Sequence, residues 1–319
     1  MANAYTSIAT AGVGTNLVKT GYETLVDFKL RSTPLFRRAV VGKRASALTN
    51  PGTTVTFDLY NDLTPDANNI TNDETIPDSV ALPATSEVSV TLNEFGKTVI
   101  STLKLRTFTF SDIDPAIANL VARDQAESLD LRVRAAIQTG TQRLSSDVGA
   151  PSTQAIASLD ATDVMKSAIP AVIVAKFRGA NVVESMPMNT FGAFIHPDVA
   201  HDLRRETGEA GWRYPHNNVA PENLWLANVG TYEGVSYIET PRVLTATDGA
   251  ASAKVYRSYF FGAQALAEVM AIEPHIIIGP VTDAMQRFRP LSWYGIGGWN
   301  VYRNEALYRV ETGSSIATF

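Results

Sequence analysis

Residues 52–60 read GTTVTFDLY and residues 87–92 read EVSVTL. In the first stretch Val55, Phe57 and Leu59 fall on one face, and Thr54, Thr56 and Asp58 on the other. In the second, Val88, Val90 and Leu92 are in phase. Strict alternation predicts two half-buried strands. Residues 61–86 between them are rich in Asp, Asn, Thr and Pro. A structureless connection of that length is uncommon in a compact domain, and a strand pair alone is marginal in water. The pattern predicts a long two-stranded excursion whose tip needs a partner.

Charge sharpens that reading. Residues 45–96 contain no Lys or Arg but carry Asp58, Asp62, Asp66, Asp73, Glu74, Asp78, Glu87 and Glu94. The preceding 44 residues hold Lys19, Lys29, Arg31, Arg37, Arg38, Lys43 and Arg44 against only Glu23 and Asp27. A basic arm followed by an acidic segment is either two solvated surfaces of a monomer or a device for pairing copies of the chain.

The whole chain has 319 residues, 45 % hydrophobic and 18 % charged, a length that suggests two domains and a composition that excludes disorder. Its net charge of -5 supplies no global basic field for nucleic acid. There is no cysteine, so disulfides, thiolate nucleophiles, Cys-zinc sites and iron–sulfur clusters are excluded. The first charged side chain is Lys19 and no long apolar run occurs, which gives no signal peptide, no membrane segment and a cytoplasmic default.

Further along, residues 1–20 read as an extended arm and 21–31 as a short helix. Residues 99–110 (VISTLKLRTFTF) continue as strand. Asp114 and Pro115 then start a helix expected to reach Thr139, with Gly140 as its stop. Its 25 residues would span roughly 38 Å. Ile117, Leu120 and Val121, then Leu129, Val133, Ala136 and Ile137, give its apolar sides. Arg123/Glu127 and Asp130/Arg134 are i,i+4 pairs expected on the wet side. Residues 160–177 read as a helix with Pro170 kinking it, 191–195 as a buried strand and 197–206 as a helix. Segments 234–238, 254–262 and 276–279 read as strands, and SWYGIGGWNVYRNEALYRVE, beginning at Ser292, as one long strand. Helices and strands mix without a βαβ rhythm, which argues an α+β fold.

No catalytic constellation stands out. His196-Pro197-Asp198-x-x-His201 resembles a metal cluster, but on a helix the two histidines would point about 140° apart, and Pro197 and Asp198 fit a helix start. Gly295-x-Gly297-Gly298 lacks the Lys-Ser/Thr of a phosphate loop, and glycines in a strand mark a bend or close backbone approach. Arg287, Phe288, Arg289, Trp293, Tyr294, Trp299, Tyr302 and Arg303 alternate as a two-faced sheet rather than a nucleic-acid platform. The chain is expected to be no enzyme and to need no cofactor or metal. A soluble metal-dependent hydrolase using His196, Asp198 and His201 is the alternative from another class, and a tail or decoration protein a third.

The order of parts resembles the major capsid proteins of tailed bacteriophages with the Hong Kong 97 type fold. The resemblance is sharpest in GTTVTFDLYNDL; in FGAFIHPDVAHDLRRETG followed by Trp212 and ANVGTYEGVSYIETPRV; and in GIGGWNVYRNEALYRVETGSS. The latter two are similar to a phage-N4-like capsid branch. The resemblance implies an N-terminal arm (1–50), an extended β-hairpin loop (51–96), a peripheral domain with a long spine helix (97–154 and 285–319, helix 115–139) and an axial domain (155–284). It implies a virion capsid protein that self-assembles as pentamers and hexamers into an icosahedral shell around double-stranded DNA, built in the host bacterial cytoplasm. Its implied partners are itself, a portal protein and packaged DNA held by non-specific contact, with scaffold and decoration proteins as further options and no membrane. An encapsulin-like compartment is the alternative within the fold.

Within that frame, inter-subunit pairing is expected between Arg31, Arg37, Arg38, Lys43 and Arg44 and the acids Asp62, Asp66, Asp73, Glu74, Asp78 and Glu87. The lysine–asparagine crosslink of the fold's type member cannot start from residues 45–96, which contain no lysine. Met1 speaks mildly against prior cleavage of a scaffolding segment.

Overall fold

The computed structural model describes residues 34–46, 52–60, 63, 65, 81–108, 113–187, 189–207, 211–212, 229–281 and 283–318. Within these, α1 (Phe36–Val40) leads into β1 (Val41–Ser46), then β2 (Thr54–Leu59), β3 (Ser86–Thr91) and β4 (Asn93–Thr102). Helices α2 (Leu103–Phe108) and α3 (Ile113–Ile137) follow. Next come β5 (Arg143–Asp147), β6 (Ala150–Ser152), α4 (Ala168–Gly179), β7 (Phe191–Ile195) and α5 (Pro197–Arg205). The remaining strands are β8 (Thr231–Tyr232), β9 (Val235–Glu239), β10 (Thr245–Ala246), β11 (Val255–Phe261), β12 (Leu266–Ile278), β13 (Phe288–Val301) and β14 (Leu307–Thr312).

Two sheets organise the chain. One has the order β1-β12-β13-β4; the other runs β6-β5-β14-β11-β7-β9-β8, with β10 on β11. The larger sheet holds the main core: every residue of β7 is buried, and Phe177 of α4 packs on Phe191 and Tyr308. Glu311 of β14 is buried there without access to water, ringed by the guanidiniums of Arg309 at 2.9 Å, Arg143 at 3.5 Å and Arg257 at 4.0 Å. A carboxylate in that position needs such company, because an unpaired buried charge is costly.

The long helix α3 lies across the four-stranded sheet. Val121 and Leu129 pack with Phe95, Met270 and Trp293, while Val133 and Ile137 enter the main core. Leu120, expected among the apolar side, is 56 % exposed. Arg123 and Glu127 pair as expected at 3.3 Å. Asp130 does not lie on the wet side: it is buried, pairs with Arg242 at 3.4 Å, and accepts the Phe36 N–H at 2.7 Å. The helix is covered on two sides, by the sheet and by α1, and a single-stripe reading could not see the second.

Several elements depart from the sequence reading. Residues 103–108 turn helical after β4. The stretch 160–167 is not helical, because Asp160 accepts the Thr162 N–H at 2.7 Å and Asp163 accepts the Asp160 N–H at 3.0 Å, which close local turns instead. Pro170 therefore sits in the first turn of α4, where no N–H is required, and kinks nothing. Residues 266–275 join 276–278 in one strand with bulges at Ile272 and before His275. Its start is buried, so tertiary pairing overrides the helical preference of Leu-Ala-Glu-Val-Met. The closing segment is two strands in different sheets, parted by a 3₁₀ turn at Asn304–Ala306. The sheets thus divide the chain differently from the expected segments: β12 joins the sheet under α3, and β5, β6 and β14 join the larger one.

Candidate assembly surfaces

β2 and β3 form the expected antiparallel pair, with Val55 opposite Val90 and Asp58 opposite Glu87. The pair crosses the face of the four-stranded sheet rather than extending its edge. Val90 is fully buried against Ala267 and Val269, and Val55, Phe57, Leu92 and Tyr302 pack around them. Gly298 makes the crossing possible, and Gly297 the close fit to the neighbouring strand β12. A Cβ on Gly298 would strike the Thr91 carbonyl oxygen and lie 2.9 Å from Val90 Cγ1, and one on Gly297 would lie 2.8 Å from the Val269 oxygen. Close backbone approach, not phosphate binding, is the role these glycines have in the fold.

Of the expected basic residues, Arg37, Lys43 and Arg44 lie at the β1 edge of this sheet. Arg37 forms a two-pronged bond to Glu268, Nε to Oε2 at 2.7 Å and Nη2 to Oε1 at 3.0 Å. Trp299 Nε1 donates to the same carboxylate at 2.8 Å, and Arg44 Nε lies 3.8 Å from it. The hydrogen bonds that Arg37 donates to Glu268 raise its pKa further above its ordinary value, so its charge is fixed. Lys43 Nζ stands 6.0 Å from the Phe57 ring of the same chain. Within its own chain Arg37 thus partners Glu268, a buried acid that needs a positive charge beside it. Glu268 was the missed residue; a lone acid in the apolar run ALAEVMAI was its signal in the sequence. Of the other expected contacts, Glu87 is exposed. Arg31, the Arg38 side chain, Asp62, Asp66, Asp73, Glu74 and Asp78 lie outside the described residues.

Two acids lock α3 to its surroundings. Burial is the largest influence on Asp130 and raises its pKa above the ordinary 3.8; the N–H groups of Phe36 and Arg37 and the Arg242 charge pull it down without cancelling that. At Asp124 burial is again first, but bonds from Lys97 (2.8 Å) and Trp293 Nε1 (2.9 Å) outweigh it and lower the pKa.

The His/Asp cluster is structural. His196 caps α5, its Nδ1 accepting the Asp198 N–H at 3.2 Å, and burial lowers its pKa. Asp198 accepts the Tyr256 hydroxyl at 2.6 Å. His201 lies beside Asp202, which holds the Ser315 N–H at 3.0 Å and so ties down the C-terminal turn. Among the described residues no group of three His, Asp or Glu could hold a metal ion, and no helix is long and apolar enough to cross a membrane.

One surface escaped the sequence reading. At the far end of the four-stranded sheet, Ile100, Leu103, Leu105, Phe108, Ile278 and Met285 are all exposed, Phe108 by 79 %. Reading 99–110 as strand hid it, although VISTLKLRTFTF carries the apolar residues in plain view.

A long helix laid on a four-stranded sheet, a hairpin crossing that sheet, and a second sheet beside it define the α+β class of the Hong Kong 97 type phage capsid proteins. The chain belongs to the phage capsid protein family, whose sequence profile matches residues 130–312, and it is a structural capsid protein. No curated protein matches it. Among solved structures, "Cyanophage Pam1 capsid asymmetric unit" is similar with a TM-score of 0.69 at 17 % identity, over 96 % of this chain and 99 % of that one. "Capsid structure of the Cyanophage P-SCSP1u" gives 0.68 at 15 % identity, over 98 % and 100 %. A Mycobacterium phage Che8 chain gives 0.66 at 13 % identity, over 93 % and 97 %. At these identities the likeness is one of fold.

Proposed function

We propose that many copies of this chain assemble, as pentamers and hexamers, into an icosahedral shell around double-stranded DNA, within the host bacterial cytoplasm. The observation that carries this reading is that nearly the whole chain, not one module, takes the fold of chains solved in phage capsids. Its role is mechanical rather than catalytic: His196, Asp198 and Asp202 are used in capping and tying, not held ready for a substrate. In the shell, residues 1–50 act as an arm, 51–96 as the loop over a neighbour, α3 and its sheet as the peripheral domain, and the larger sheet as the axial domain. A portal protein would fill one vertex, and scaffold or decoration proteins are further partners. Overlapping arms and loops suit such a shell because they tolerate small changes of angle between copies better than one rigid patch.

The test is sedimentation of the purified protein with negative-stain microscopy of the same sample. Shells, or rings of five or six, support the reading. A monomer at every concentration overturns unaided assembly and directs the experiment to particles made with a scaffold.

A further inference from the structure

Residues 1–33 lie outside the described residues, and Pro34, where these begin, forms part of the wall of a groove. Ala122, Ala126 and Leu129 of α3 line one side of it, and Arg44 of β1 and Glu273 of β12 stand across from them. The groove has a volume of about 670 Å³, room for several side chains. Ala122 and Ala126 are exposed, and side chains that small let another helix approach closely. Glu273 keeps 63 % of its side chain exposed, with Arg37 3.6 Å away.

The chain itself argues for what covers this groove. Only Ser32 and Thr33 separate residues 21–31 from Pro34. Three residue steps reach at most about 11 Å, so the end of that segment stays beside the groove. A residue before proline is disfavoured in the helical region, so a helix over 21–31 ends by Ser32 and the chain turns at Thr33. In helical register Tyr22, Leu25, Phe28 and Lys29 fall within an arc of about 120°, and Glu23 and Asp27 on the opposite side. Such a helix is about 16 Å long, enough to pass the stretch of α3 from Ala122 to Leu129, about 10 Å. A segment on so short a tether is held at millimolar effective concentration or above, so a modest contact keeps it in place.

We propose that residues 21–31 of each copy seat in this groove of their own chain, with Leu25 and Phe28 on Ala122, Ala126 and Leu129, and Lys29 beside Glu273. The contact fixes the root of the arm and leaves residues 1–20 to reach a neighbour. It is made within one subunit, so it goes beyond the shell reading and does not depend on it.

The chain has no cysteine, so introduced thiols are unique. Lys29→Cys is combined with Ala126→Cys in the groove and, for comparison, with Leu131→Cys. Leu131 is 48 % exposed and lies about 140° round α3 from Ala126, closer to the point where α1 packs at Asp130. Dilute subunit of each double variant is treated with a short bis-thiol reagent. Lys29→Cys with Ala126→Cys is expected to link within one chain, at a rate independent of protein concentration and at least tenfold above the comparison pair; peptide masses identify the link. In Ala126→Cys alone, adding Leu25→Asp is expected to speed alkylation of the thiol by iodoacetamide about tenfold, the effect of losing one buried leucine. Equal linking rates for the two pairs overturn the proposal, as does alkylation that ignores Leu25→Asp. Links that form only between chains and rise with concentration also overturn it, and seat another copy's segment in the groove. None of these results bears on assembly, which sedimentation of the parent reads separately.

Discussion

Placing a methyl group on Gly298 tests the crossing on which the loop's direction depends. In Gly298→Ala the new Cβ would run into the Thr91 carbonyl oxygen and lie 2.9 Å from Val90 Cγ1. The nearest obstacle is backbone, so no flexible side chain can swing aside. If β3 shifts outward, overpacking costs roughly 1–3 kcal/mol. If β3 lifts off instead, the burial of Val90 is lost, about 1.5–3 kcal/mol, together with part of that of Val55 and Phe57. The first route thus costs about 1–3 kcal/mol and the second about 2–4 kcal/mol, and the second is local. The sensitive assay is therefore hydrogen exchange at the Leu92 amide, which bonds to the Thr53 oxygen at 2.9 Å. Local opening eased by that amount speeds exchange roughly 30- to 1,000-fold. Gly179→Ala is the control: it has open space around it at the end of α4, and alanine there should be neutral or stabilising by about 0.5–1 kcal/mol. Exchange at Leu92 within threefold of the parent in Gly298→Ala would refute the reasoning.

Arg37→Glu should destabilise the isolated subunit by about 3–5 kcal/mol, because it leaves buried Glu268 facing a second acid; a urea midpoint matching the parent would contradict the pairing described. Asp130 has a folded pKa above 3.8, so the stability tied to its protonation is complete below that pH and is lost as pH rises through the folded value. Urea titrations from pH 4 upward should accordingly show Asp130→Asn gaining on the parent as pH rises. Burial pushes the Tyr232 and Tyr259 hydroxyls up to about 12, against an ordinary 10; phenolate absorbance from these two should develop only near pH 12, and stability should fall from pH 10 towards it. Treatment with a chelator should leave the melting temperature unchanged, since His196 and Asp198 bond to backbone and to Tyr256.

Local patterns were enough for much of the fold. Period-two alternation located β2 and β3 within a residue or two, because one face of each is half buried and the other wet. Pro197 and the buried run FGAFI located β7 and α5, and the length of α3 was legible from Pro115 and Gly140 to within two residues at each end. The ordered set of these parts, with a long acidic loop free of lysine and arginine, was sufficient to indicate a capsid protein.

What the sequence could not decide was which segments meet. Leu266–Ile278 pairs on one side with Val41–Ser46 and Leu307–Thr312 with Arg143–Asp147, both far earlier in the chain, and Phe36–Val40 took its place from Asp130, 94 residues away. For the same reason the charge of Arg37 could be read but not its partner, since nothing local links it to Glu268, 231 residues later. Composition and periodicity are local quantities and report which residues avoid water. Only packing in three dimensions determines which buried acid claims which arginine, and which apolar residues, such as Ile278 and Phe108, stay exposed.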